Sequence, residues 1–416
     1  PEGTYGVMSW WDYGHWITVG GERVPNANPF QQGATTAANY LLAPNESAAR
    51  EVLASQSTEG ERTRYVMVDW QMATPGSKFG APTVFYDRSN VSRSDFYQQI
   101  YGVQQTQQGG AQLVSSTLVR DQRFYESQMT RLYYYHGSAQ SAQPVVVDWE
   151  RREAQFGQQT VVVNGTPADG RTIKQFRSMS QARAYVRNDS TSQVGGVGAF
   201  PSERVSALEH YRLVDVSENS ALSDGEYQRL RQQARATYRI RPEGASALDA
   251  NPPSYVKTFE RVPGATIEGS GAAPGSNVTA DVPIRIAETN TTFTYTQRVQ
   301  ANDQGEFTMT LPYATTGYGG AGEGYTTTSL RAERPYNVTG ETRLNESGYV
   351  ISRRGQADVP EPAVVGASDQ PVEVELDRTA EPLFQNQNGD SSNTTVENQT
   401  AVRAPAAPRP TRAAVA

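Results

Sequence analysis

The first half of the chain mixes helical and strand patterns, whereas the second half, from about Tyr255 onward, carries only the strand pattern. Tyr5 to Met8 suits a short strand that delivers Trp10-Trp11-Asp12-Tyr13-Gly14 at a turn, and His15, Trp16 and Ile17 begin a further apolar segment. Positions 35–43 and 47–56 are amphipathic in outline and predict helices, the second opened by Pro44 with Asn45 as its N-cap. The β-branched and aromatic run from Tyr65 to Asp69 predicts a buried strand. It leads through Trp70-Gln71-Met72 and the turn formers Thr74-Pro75-Gly76 to Ser77-Lys78-Phe79. Asp95 to Gly102 and Gln122 to Tyr135 read as helices, the second with Phe124, Met129 and Leu132 on its inner face. Beyond a linker-like stretch at 138–144, short strands are predicted at 145–149, 160–163 and 171–176, then a helix at 180–186. Pro201-Ser202-Glu203 is a good helix start. Strand candidates then recur at 265–268, 276–286, 291–299, 306–311 and 324–332, with Gly-containing turns between them.

These elements predict an α+β multidomain protein. A mixed α/β core spans 1–250 and carries the Trp-Trp-Asp-Tyr-Gly stretch, with a small β insertion at about 143–197. A β-sandwich-like domain spans 251–376, and a polar, Pro/Ala-rich tail at 377–416 is expected to be disordered. At 416 residues the chain is too long for one compact core, which agrees with two or three domains.

Charge and composition narrow the function classes. A net charge of −7 argues against nucleic acid as a partner, because phosphate binding needs clustered basic residues. Of the 37 basic residues only Lys78, Lys174 and Lys257 are lysine, an Arg-for-Lys bias that, with the acidic balance, suits a surface working in high salt. The absence of cysteine excludes disulfides, Cys-based metal sites and thiol nucleophiles. No window approaches the roughly 18 apolar residues of a membrane span. Asn-X-Ser/Thr sequons recur, from Asn45 to Asn398, but Asn, Ser and Thr are abundant enough to generate them by chance.

The Trp10 to Gly14 stretch carries the most specific chemistry; ordinary residue usage would produce it in a chain of this length with a probability on the order of 10⁻⁵. The two indole N–H groups can only donate and an ionised Asp12 can only accept, so together they suit a hydroxyl, which does both. The competing reading is a small aromatic core cluster with Asp12 as a turn cap. His15 reads as a structural histidine. Tyr133-Tyr134-Tyr135-His136 suits core packing better than sugar stacking.

WWDYG resembles the signature of the catalytic subunit of oligosaccharyltransferase, and the segments at 5–17, 28–33, 65–79 and 195–214 resemble the archaeal branch of that family. The resemblance implies that Trp10, Trp11 and Asp12 bind the Ser or Thr hydroxyl of an Asn-X-Ser/Thr acceptor polypeptide. It also implies a second motif beside them, with Asp69, Met72 and Lys78 as candidates; Met72 either covers the methyl of an acceptor Thr or fills a core gap. The implied donor is a dolichyl-linked oligosaccharide, and the implied cofactor is Mn²⁺ or Mg²⁺. Its ligands and the catalytic acidic residues are expected in a preceding membrane region, so no catalytic or metal-binding residue is assigned here. The start at Pro1, with the motif reached within ten residues, looks like a cut, and the resemblance implies that the sequence is the extracytoplasmic part of a longer enzyme in the cell membrane, inactive alone. The alternative, from another class, is a noncatalytic cell-surface glycoprotein or carbohydrate-binding module.

Overall fold

The computed structural model describes residues 5–56, 62–88, 90–107, 110–237, 252–318 and 325–382. A five-stranded sheet organises the core, in the order Tyr211–Val216, Val256–Arg261, Thr63–Asp69, Gly6–Met8 and Val24–Pro25. Gly6–Met8 runs parallel to both of its neighbours, while Val256–Arg261 is antiparallel to both of its own. Val7, Met8, Val66 and Val68 are buried, as expected of a sheet covered on both faces. Helices Ala34–Leu41, Glu46–Gln56 and Gln128–Tyr135 cover it through Ala37, Tyr40, Leu41, Leu53, Met129 and Leu132. Asn45 caps the second helix through its side chain, which accepts from Ala48 N at 2.8 Å.

Five expectations are corrected. Asp95 to Gly102 is no helix: Tyr97–Gln105 is a strand paired in a hairpin with Ala111–Arg120, and only Ile100 of the strand is buried, so neither face shows an apolar rhythm. The β insertion, with the core helices at 122–135 set aside, therefore reaches back to 97. It comprises a four-stranded sheet containing this hairpin with Glu150–Phe156 and Gln159–Gly165, and a three-stranded sheet centred on Val145–Asp148. Pro201-Ser202-Glu203 opens no helix; Val205 instead exchanges backbone hydrogen bonds with Gln140 at 2.9 and 3.0 Å, so the segment is tied across the chain. The core does not end at 250, because Val256–Arg261 is a central strand of its sheet. The polar tail does not begin at 377, since Asp377–Pro382 pairs along Tyr349–Ala357 with its side chains exposed; 383–416 lies outside the described residues.

The second half forms two facing sheets. One has Ala265–Ser270 between Phe307–Leu311 and Val372–Glu375, and the other, seven-stranded, is built on the long hairpin of Asn277–Ile286 and Thr291–Gln300. Alternate residues Val278, Ala280, Val282 and Ile284 point into their shared interior. This apolar interior is continuous with that of the core. Tyr295 and Tyr313 stitch the two parts: the Tyr295 hydroxyl donates to Leu208 O, and the Tyr313 oxygen accepts from Leu213 N, both at 2.9 Å.

Candidate functional site

The parallel strands Gly6–Met8 and Thr63–Asp69 both end at the same edge of the sheet, and each delivers one candidate motif there. The crevice outside the carboxyl ends of parallel strands is where α/β sheets place their ligands. Ser9 locks the first strand end to the second by donating to Met67 O at 2.9 Å. Trp10 is then buried, edge-on to Phe85 with ring centroids 5.7 Å apart. Trp11–Tyr13 make one 3₁₀ turn, closed by Tyr13 N donating to Trp10 O at 3.0 Å, and Gly14–Val19 continues as a short helix.

The second strand ends in a helical turn, Trp70–Ala73, capped by Asp69, whose Oδ1 accepts from Met72 N at 2.6 Å. The other carboxylate oxygen of Asp69 accepts from the Tyr13 hydroxyl. Burial drives the Asp69 carboxyl above its ordinary range, against the Tyr13 hydrogen bond and the Met72 N–H, which both favour the ionised form. The phenol of Tyr13 is pushed far up by burial and then by the Asp69 charge, so it stays protonated and donating.

Lys78, at the start of the next 3₁₀ turn, donates to Asp12 Oδ2 at 2.9 Å. Burial lowers the lysine pKa, but the hydrogen bond and charge of Asp12, with the charge of Asp69, raise it more, so it remains an ammonium. The two motifs thus interlock through two crossed pairs, Asp12 with Lys78 and Tyr13 with Asp69. Met72 joins them by its backbone alone; its side chain is fully buried in the core. Tyr13 is the partner that reading by residue type left unassigned, although it lies inside the signature.

Two polar atoms of the first motif are buried without a partner: Trp11 Nε1, a donor, and Asp12 Oδ1, an acceptor. They belong to consecutive residues that are themselves half-exposed. A hydroxyl group, which both accepts and donates, is the ligand type that matches such a pair. Around them stand exposed apolar side chains: Trp16 in the helix after the motif, Phe30 in the loop beside Gly14, and Val84 next to Phe85. A metal does not fit the chain's own donors here. The two carboxylates already face an ammonium and a phenol, and among the described residues no group of three or more His, Cys, Asp or Glu side chains could hold an ion. Also among the described residues, no helix is long and apolar enough to cross a membrane.

Residues 1–73 match the family model of the AglB core domain, and residues 264–369 match that of the archaeal glycosylation protein B long peripheral domain. The chain is 55% identical over 388 residues to the dolichyl-monophosphooligosaccharide–protein glycotransferase AglB of Haloferax volcanii, a match that covers 92% of this chain and 36% of that protein. It is 26% identical over 332 residues to dolichyl-phosphooligosaccharide-protein glycotransferase 3 of Archaeoglobus fulgidus, covering 76% of this chain and 33% of the relative. The chain thus spans about a third of the length of these relatives. In fold it is similar to an Archaeoglobus fulgidus oligosaccharyltransferase in crystal structures with zinc and sulfate (TM-score 0.51, 21% identity, 90% of this chain and 41% of that one). The same enzyme tethered through a disulfide to an acceptor peptide containing the NVT sequon gives a TM-score of 0.50 at 21% identity, over 90% of this chain and 39% of that one. The signature at the carboxyl edge of the core sheet, the two domain matches and the Haloferax relative agree: the chain belongs to the archaeal AglB family of oligosaccharyltransferases.

Proposed function

We propose that this chain is the acceptor-recognition part of a membrane oligosaccharyltransferase, which moves a dolichyl-phosphate- or pyrophosphate-linked glycan onto the Asn of Asn-X-Ser/Thr. The observation that carries the reading is the adjacent pair of unpartnered buried atoms, Trp11 Nε1 and Asp12 Oδ1. A Ser or Thr hydroxyl accepts from the indole and donates to the carboxylate, with Trp10 forming the wall behind. Lys78 and Asp69 are positioning residues. Lys78 fixes the Asp12 carboxylate by its other oxygen, and Asp69 fixes the ring of Tyr13 against rotation. Met72 contributes the N–H that orients Asp69.

The work of this part is orientation: holding the acceptor so that its amide nitrogen meets the anomeric carbon, a proximity effect rather than acid–base chemistry. In this reading Mn²⁺ or Mg²⁺, the lipid-linked donor and the catalytic carboxylates are held by the enzyme's own membrane domain, and this part faces the extracytoplasmic side. The chain alone then transfers nothing. The exposed Trp16, Phe30 and Val84 suit contact with the acceptor peptide or with that membrane domain. The alternative of a noncatalytic surface module is set aside by family membership.

The test compares matched acceptor peptides carrying Thr or its hydroxyl-free isostere Val, using the full-length enzyme. Loss of the hydroxyl is expected to lower kcat/KM by roughly 10⁴-fold, as for other sites built to hydrogen-bond a hydroxyl. Asp12→Ala is expected to erase most of this discrimination along with activity. A folded Asp12→Ala enzyme that still prefers Thr would remove the motif from the hydroxyl site.

A further inference from the structure

At the opposite, amino-terminal end of Thr63–Asp69, roughly 20 Å along the strand from the motif, lies a cavity of about 410 Å³. Four arginines line it, Arg50, Arg62, Arg64 and Arg261, together with His210, against a single carboxylate among the described residues, Glu46. In a chain of net charge −7 such a concentration of guanidinium groups stands out. They come from three parts of the chain: Arg50 from helix Glu46–Gln56, Arg64 from the start of the central strand with Arg62 just ahead of it, and Arg261 from the end of its antiparallel neighbour. Tyr325, from the peripheral domain, closes one side.

The lone carboxylate is already engaged. Glu46 accepts from Glu209 N at 2.7 Å and from His210 N at 3.0 Å, one bond to each oxygen. Arg261 is held in place by donating to Thr63 O at 2.8 Å, and His210 Nδ1 faces Pro263 O at 2.7 Å. Arg64 is about nine-tenths buried, its guanidinium set between the rings of Tyr5 and Tyr325 at 4.5 and 4.0 Å. Its Nε is paired with Glu260 at 3.0 Å, yet its Nη2 is buried without a partner. Arg50 and Arg62 are exposed at the rim, and among the described residues no ion pair engages either.

We propose that this cavity binds a phosphate group. Guanidinium forks match oxyanions bidentately, and their approach from three parts of the chain suits a tetrahedral dianion with oxygens on several sides better than a planar carboxylate with two. The unpartnered Nη2 of Arg64 supplies one donor, Arg261 a second, and the rim arginines the third side. The phosphate belongs to a free anion, a sugar phosphate or a lipid headgroup, and all three present the same group to the same donors. This inference is independent of the acceptor-site reading.

The test uses the whole chain in potassium chloride at constant ionic strength. Calorimetric titrations are run with inorganic phosphate, with glucose 1-phosphate, and with phosphatidylcholine vesicles containing or lacking phosphatidic acid. At least one phosphate probe is expected to bind above the chloride background, and Arg50→Ala/Arg62→Ala is expected to weaken it by roughly tenfold or more. Both side chains are exposed, so the variant's unchanged Tm without ligand verifies its fold. Binding of inorganic phosphate assigns a free anion, binding of glucose 1-phosphate alone a sugar phosphate, and binding of phosphatidic acid vesicles alone a headgroup. Equal affinity in wild type and the double variant, or no probe bound above chloride, overturns the proposal.

Discussion

Where a chain avoids lysine, the few that remain carry specific contacts. Lys78 holds Asp12, and Lys174 sits between Asp148 and Tyr185 in the β insertion with Asp169 at 3.4 Å. Lys257 is wholly buried, donating to Tyr133 O at 2.8 Å beside His136 Nε2 at 3.1 Å. Burial pushes the Lys257 amine well below its ordinary 10.5 and, with the lysine's charge, pushes His136 well below 6.5. The unfolded chain therefore binds more protons than the folded one up to about pH 10.5, so these groups make stability rise with pH and weaken it in acid. Lys257→Met is expected to flatten that rise in urea unfolding followed from acid to alkaline pH, at a cost of about 1–3 kcal/mol for the unpartnered Tyr133 carbonyl; an unchanged slope would exclude the buried amine as its source. The side chain of Met72 is fully enclosed in the core. Met72→Ala is expected to cost about 2–5 kcal/mol as a cavity while leaving the Thr-over-Ser preference of the full-length enzyme unchanged, and a shifted ratio in a folded variant would place the thioether against the acceptor. The signature residues were legible because their donors and acceptors are complementary by type. The crossing of Asp12 with Lys78 and Tyr13 with Asp69 was not, because it depends on two strands ending side by side 56 to 66 residues apart in sequence.

Short elements at the motif are held by contacts rather than by their own propensity. The six-residue helix Gly14–Val19 is too short to persist alone, and it is seated where Gly14 meets the loop at 27–29. A Cβ on Gly14 would lie 2.4 Å from Ala27 O and 2.7 Å from Asn28 Cα, both backbone atoms that cannot swing away. The backbone of Gly14 is helical, so alanine would gain about 1 kcal/mol of helix propensity there; the collision outweighs it. Gly14→Ala is expected to lower Tm and to cut transfer in the full-length enzyme by displacing the turn that holds Asp12, and a variant as stable as wild type would show that the loop yields freely. The same balance explains which elements could be read from sequence. Helices with caps and apolar faces declare themselves, as Glu46–Gln56 does. Tyr97–Gln105 and Asp377–Pro382 are strands by backbone pairing, with almost nothing buried on either face, so periodicity had nothing to register.

At the scale of the whole molecule, the core and the peripheral sheets are joined by one apolar interior and by a buried ionic chain running through it. Glu260, with no exposed surface, receives Arg64 Nε at 3.0 Å on one oxygen and Arg212 Nη2 at 2.8 Å on the other; Arg212 reaches on to Glu361 at 2.6 Å, in the peripheral domain. Thr326 N also donates to Glu260 at 3.0 Å. Because two guanidinium groups share Glu260, Glu260→Gln leaves the charge of Arg64 uncompensated and leaves Arg212 with Glu361 alone, and the expected loss of stability is about 3–5 kcal/mol. The exposed pair of Arg334 with Asp281 supplies the contrast, since Asp281→Asn is expected to cost no more than about 1 kcal/mol. Salt separates the two cases further: the surface pair is screened over roughly a Debye length, the buried chain hardly at all. Urea unfolding of both variants at low and high potassium chloride is expected to show a Glu260→Gln penalty that persists in high salt and an Asp281→Asn penalty that vanishes. Since the apolar interior is continuous across the junction, wild type is expected to unfold in a single transition, and Glu260→Gln to lower its midpoint without splitting it. Two separated transitions in wild type would mean that the junction contributes little, and that the peripheral sheets fold without the help of the core.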